Sequence, residues 1–243
     1  MSIKIWLGGA HIDERGQATG GEAGDQTGRE LSISKYYLHK QGWRVFRAPN
    51  ATARGMIADA MIAACDNPHI GYDQSQRDTL YKAASKCGFD PALVQTDVET
   101  DCSALVRVCC AYAGYRLPNM RTATEPSALI KAGFAELGLN PDQLQRGDIL
   151  CTPSAGHTEI VVRVEGTKPQ REEDRMDTIK RGSKGYQVKV LQQLLRMWGC
   201  VIAVDGDCGP RTEEAIKAFQ AGYGLTADGV CGPKTWAALL RGE

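Results

Sequence analysis

The sequence predicts an α+β domain followed by a small all-α domain. Three observations carry that expectation. Short β-branched or aromatic runs and segments with helical apolar spacing are mixed through the first two thirds of the chain. Gly166–Asp177 then offers almost nothing to bury, carrying charges of both signs and one proline, as a linker does. Beyond it Asp205–Thr212 (DGDCGPRT) returns 23 positions later as Asp228–Thr235 (DGVCGPKT), each copy a turn with proline at a helix start. The predicted boundaries are 1–165 for the first domain, 166–178 for the linker and 179–243 for the second.

The chain has 243 residues, enough for one or two domains. Lysine plus arginine equals aspartate plus glutamate at 29 each, so net charge supplies no attraction to nucleic acid or an anionic membrane. No apolar run approaches the roughly 20 residues of a membrane-spanning helix. Met1–Trp6 lacks the length and flanks of a signal peptide, and the expectation is a soluble product synthesised in the cytoplasm. Nine cysteines occur without a C-x-x-C pair, and none of the four histidines stands at finger spacing from a cysteine pair. No metal and no cofactor are therefore expected, and most thiols should be reduced and buried. Spacing assigns no pairing among Cys200, Cys208 and Cys231.

Taken in order, Lys4–Leu7 is a short strand running on into Gly8–Asp13. Gly16–Glu30 is a loop by its glycine and polar content, able to line a site with backbone N–H groups. Leu31–Tyr37 and Trp43–Phe46 read as strand or edge material. Met56, Ile57, Ala60, Met61 and Ala64 mark one face of a helix over 52–65, and Leu80, Tyr81 and Ala84 a second over 76–86. Ser127–Gly133 is a further short helix. In the second domain Val188, Leu191, Leu194, Leu195 and Trp198 mark one helix, Ala215, Ile216 and Phe219 another, and Trp236, Leu239 and Leu240 a third.

Two stretches carry chemistry. Asp101 is suited to cap a helix in which Cys102, Leu105, Val106, Cys109 and Ala113 share a face and Gly114 supplies the stop. Cys102 then lies in the first turn, where the helix dipole favours the nucleophilic thiolate. Cys109 and Cys110 read as small buried hydrophobes. After Arg146–Cys151 and Gly156, alternation along a strand places His157, Glu159 and Val161 on one face and Thr158, Ile160, Val162 and Val164 on the other. A strand-end histidine is a suitable base if the fold brings it to Cys102.

Asp101-Cys102-Ser103-Ala104-Leu105-Val106 resembles the D-C-S-G-x-V motif of NlpC-type papain-like cell-wall cysteine peptidases. Gly147-Asp148-Ile149-Leu150 with Gly156-His157 is similar to the segment that carries their base. Residues 179–240 resemble the three-helix peptidoglycan-binding domain of many cell-wall hydrolases. The pair of domains is similar to a phage or prophage endolysin. These resemblances imply a papain-like domain with an antiparallel sheet, plus the three-helix module. Ala104 stands where the family has glycine, a small change on a helix. The family's third polar residue follows the histidine strand, but here the linker begins after Val164. Gly9–Asp13 and Gly24–Gly28 resemble a segment that follows that strand in certain phage lysins. The expectation is a circular permutation in which the N-terminal strand pairs beside the His157 strand. His11 would then orient His157, with Asp13, Asp25 and Glu159 as alternatives. Glu159 is the awkward one, since same-face neighbours on a strand lie about 6.6 Å apart.

The resemblance implies acyl transfer at an amide of the peptidoglycan stem peptide, with Cys102 as nucleophile, His157 as base and His11 as its orienter. Tyr72, Ser103, Asp25 and Gln26 are the expected oxyanion or substrate contacts. Related enzymes cut either within the stem peptide or at the muramoyl–alanine amide. The endopeptidase is preferred and the amidase is the alternative, with a non-catalytic wall-binding protein as the reading of a different class. Peptidoglycan is the expected partner, reached at the wall after release from the cell.

Overall fold

The computed structural model describes residues 3–154, 156–166 and 178–241. Two compact units emerge, one from the N-terminal two thirds and one from the C-terminal segment. The predicted linker falls almost wholly outside the described residues.

The first unit is α+β. Its main sheet contains β1 (Lys4–Ala10), β2 (Leu31–Lys35), β3 (Arg44–Arg47), β6 (Ala135–Leu137), β7 (Ile149–Cys151) and β8 (Thr158–Glu165). The order is β2-β1-β8-β7-β3-β6, with every neighbouring pair antiparallel. Two short strands that periodicity did not reveal, β4 (Ile70–Tyr72) and β5 (Val98–Thr100), form a parallel pair of their own. Each is only three residues long and buried throughout, so neither shows alternation.

The helices are α1 (Ala51–Asp66), α2 (Thr79–Ala84), α3 (Cys102–Tyr112) and α4 (Glu125–Lys131). Ile57 and Met61 of α1 and Leu105, Val106 and Cys109 of α3 share one core with Ile160 and Val162 of β8. On the other side of the alternation, Ile5 and Leu7 of β1 and Val161 of β8 join a smaller cluster with Trp43, Val45 and Leu150. The second helix is shorter than its apolar pattern. The Asp73 carboxylate accepts from the N–H groups of Ser75 and Gln76, fixing that stretch as a turn, and the chain leaves α2 through a single 3₁₀ turn.

β1 runs three residues beyond its predicted end and occupies an interior position, hydrogen-bonded to both β2 and β8. Glycine is needed there. A Cβ on Gly8 would lie 2.6 Å from Met61 Cγ, and one on Gly9 would lie 3.0 Å from Glu159 Cγ.

The second unit is the all-α module α5 (Tyr186–Met197), α6 (Pro210–Gly222) and α7 (Pro233–Arg241). Val188, Leu191, Leu195, Ile216, Phe219, Trp236 and Leu239 form its core. The internal repeat has a shared structural cause. Gln192 Nε2 donates to Asp205 Oδ1 and Thr212 Oγ1, while its Oε1 accepts from the Gly206 N–H. Gln220 does the same with Asp228, Thr235 and Gly229. Each glutamine, buried and fully bonded, closes one turn onto the helix that follows it. All nine cysteines are free thiols.

Candidate active site

Cys102 opens α3 as predicted. The Asp101 carboxylate accepts from the Ala104 N–H at 2.7 Å and from Ser103 Oγ at 2.9 Å, and pairs with the buried Arg77 guanidinium at 3.0 Å. That tripod fixes the first turn and with it the cysteine. The thiol is 6% exposed. Burial, together with the nearby carboxylates of Asp101 and Glu125, pushes it up to about 12. Backbone N–H groups of Thr158 and Ser103 act in the opposite direction without prevailing. The easier ionisation expected at a helix start is therefore outweighed, and at neutral pH Cys102 is a thiol.

The Thr158 N–H that favours this sulfur's ionised form belongs to the residue after His157, and α3 packs against β8. The Thr158 side chain locks the junction by donating to Glu125 Oε1 at 2.8 Å. Glu125 is fully buried on α4 and pushed up to about 8 by desolvation. No sequence signal marked it, since its only local feature is its place at a helix start.

His157 projects to the face of β8 that carries Glu159. Its Nε2 lies 2.9 Å from Glu159 Oε1, and the same oxygen accepts from the Tyr37 hydroxyl at 2.9 Å. The spacing objection to Glu159 fails because both side chains are long enough to lean together across the backbone step, and Gly9 on the adjacent strand leaves them the room. His11 stands beside them, its ring 5.4 Å from that of His157, and Trp43 lies 6.2 Å away on another side. Burial holds His11 below the usual imidazole range, with Glu159 opposing and His157 reinforcing the shift. Among the described residues no hydrogen bond joins the Cys102 sulfur to the His157 ring, and the hydrogen-bonded partner of His157 is Glu159.

The remaining predicted residues divide. Burial pushes the Tyr72 hydroxyl up to about 12, with Cys102 adding to the shift, and that hydroxyl accepts from Gln74 Nε2. Ser103 presents its backbone N–H to the sulfur while its hydroxyl is spent on Asp101. Asp25 and Gln26 serve the loop itself. Asp25 Oδ1 accepts from the N–H groups of Thr27 and Gly28, and Gln26 Nε2 donates to the carbonyls of Ala23 and Gly24. Asp13 is likewise bound to Arg15 and the Gln17 N–H. Tyr37 and Trp43 were missed as site residues because their aromatic character served equally well as strand material.

No curated protein matches the chain. Among solved structures, a Burkholderia AP3 phage endolysin is 42% identical over 28% of this chain and 26% of its own, with a TM-score of 0.27. A SleB N-terminal domain is 37% identical over 27% of this chain and 92% of its own, TM-score 0.27. A fused Zn-dependent amidase/peptidase/peptidoglycan-binding protein from Clostridium acetobutylicum is 34% identical over 27% of this chain and 29% of its own, TM-score 0.26. The chain thus spans about a quarter of the phage endolysin's length. Residues 184–239 match the putative peptidoglycan binding domain family. Residues 7–169 match the endolysin-like domain family, and by that match, which takes in every residue of the Cys102 and His157 clusters, the chain belongs to it.

Proposed function

We propose that this chain is a peptidoglycan hydrolase of the endolysin type, cutting an amide of the stem peptide through a thioester on Cys102. The observation that carries the reading is the packing of α3 against β8, with the Thr158 N–H acting on the Cys102 sulfur and the adjacent histidine gripped by a buried carboxylate. The two family matches supply the substrate class.

Glu159 engages Nε2 of His157 and so favours the tautomer with its proton there, leaving Nδ1 as the base. Because Cys102 rests as a thiol, its proton passes to Nδ1 as the sulfur attacks the carbonyl, rather than before substrate arrives. On this reading the Ser103 N–H and the Tyr72 hydroxyl receive the oxyanion. His157 then returns the proton to the leaving amine, and water hydrolyses the thioester. His11 narrows the space around the ring and acts as a positioning residue.

The NlpC-type ancestry and its circular permutation belong to the same proposal. Pairing of β1 beside β8 supports them, since it puts the N-terminal strand where the family's strand after the histidine would lie. An endopeptidase is preferred to a muramoyl–alanine amidase. The test is digestion of purified sacculi of defined chemotype, followed by mass spectrometry of the released fragments. Wild type should expose a new stem-peptide amine, and Cys102→Ala should release nothing. A free lactyl carboxylate on muramic acid would select the amidase. The deep burial of Cys102 favours one rival, a wall-binding protein with an inert thiol, and equal clearing by wild type and Cys102→Ala would remove the cysteine mechanism altogether.

A further inference from the structure

The cluster around His157 offers a second chemistry. His11, His157 and Glu159 each present a ligand atom, and all three atoms lie within 4.8 Å of one another. We propose that these three residues form a binding site for a divalent transition-metal ion of the zinc class. No linear motif announces it, because His11 directly follows β1 while His157 directly precedes β8 and Glu159 lies in it, and the two strands meet only through sheet pairing.

The donor set suits the ion. Two imidazoles and one carboxylate are the ligands of many open tetrahedral zinc sites, with a fourth position for water or substrate. Edges of such a tetrahedron measure about 3.3 Å for bonds of about 2.0 Å. The His157–Glu159 pair stands at 2.9 Å, near the length of such an edge, and no two ligand atoms are more than 4.8 Å apart. Glu159 is fully buried, and its Oε2 has no hydrogen-bond partner among the described residues. Meanwhile Tyr37 anchors Oε1, an outer contact of the kind that orients a ligating carboxylate. Both histidines are only half-buried, so their ring edges are reachable from solvent.

Such a site competes with the hydrolase proposed above, because a metal-bound His157 cannot take the Cys102 proton. That consequence rests on the hydrolase reading; the binding itself does not. Cobalt(II) is the probe, titrated into the full chain and into the Cys102→Ala, His11→Gln and Glu159→Gln variants, with circular dichroism confirming that each is folded. The expected result is an intense visible d–d band saturating at one equivalent in wild type and in Cys102→Ala. Affinity should fall at least tenfold in His11→Gln and in Glu159→Gln. Absence of a band, a band carrying sulfur-to-cobalt charge transfer, or unchanged affinity in those two folded variants would overturn the site. Sacculus clearing by the same proteins separates the two readings. Loss of activity in Cys102→Ala with cobalt still bound supports both, whereas retained activity in Cys102→Ala removes the hydrolase chemistry and leaves the metal site standing.

Discussion

Glu125 is a carboxyl group with no surface, one hydrogen bond from Thr158 and an ionisation pushed up to about 8. Between about pH 4.5 and 8 the folded state keeps a proton that the unfolded chain releases, so the first unit loses stability as pH rises through that window. Glu125→Gln should remove its share of the loss, while Glu99, buried and also pushed up to about 8 by desolvation, contributes the rest. Thermal unfolding should show the variant and wild type alike at pH 5 and the variant more stable at pH 8.5, by on the order of a few kcal/mol. A wild-type midpoint that stays flat from pH 5 to 8.5 would contradict the assignment. For Glu159 the proposed mechanism puts the effect in catalysis. Glu159→Gln keeps the shape but weakens the grip on the His157 tautomer, and kcat on sacculi should drop by about 10²- to 10³-fold with binding to the wall unchanged. How far these residues were legible follows from the reach of each signal. Cys102 and its Asp101 cap announce themselves within one helical turn, whereas Glu159 was discounted because backbone spacing says nothing of how far two long side chains lean.

Among the elements, the tight passage before β7 is set by Gly147. It has φ 86°, and a Cβ there would stand 2.1 Å from the Arg54 carbonyl oxygen of α1. Gly147→Ala should cost about 3 kcal/mol or more, through both the left-handed backbone and the clash, read as a lowered urea midpoint of the first unit. In the C-terminal module Gln220→Leu should destabilise by about 2–4 kcal/mol, because the leucine leaves the Gly229 N–H and Asp228 without their partner. Repeat detection found the turns but not the glutamines, since Gln192 precedes Asp205 by 13 positions and Gln220 precedes Asp228 by only 8. Helices with long apolar faces, α1, α3 and α5, were visible in the sequence. The three-residue strands β4 and β5 were not, because a fully buried strand of that length has no period to read.

For the molecule as a whole, the match of residues 184–239 to the putative peptidoglycan binding domain family makes the proposed attachment and cleavage separable. Residues 178–243 alone should co-sediment with sacculi. Residues 1–166 alone should cleave soluble stem-peptide fragments at the full-length rate yet lose at least tenfold on intact wall, where tethering raises local concentration. Equal rates of the two forms on intact wall would remove the anchoring role. The interior place of β1 has its own consequence for assembly. Its two hydrogen-bonding neighbours, β2 and β8, come from opposite ends of the first unit's sequence. During synthesis the first strand of this unit therefore waits, half paired, for the last. A cut in an exposed turn between them should yield two unfolded pieces that reunite, when mixed, by zipping β1 against β8, so that whatever activity the unit has begins only when its halves meet.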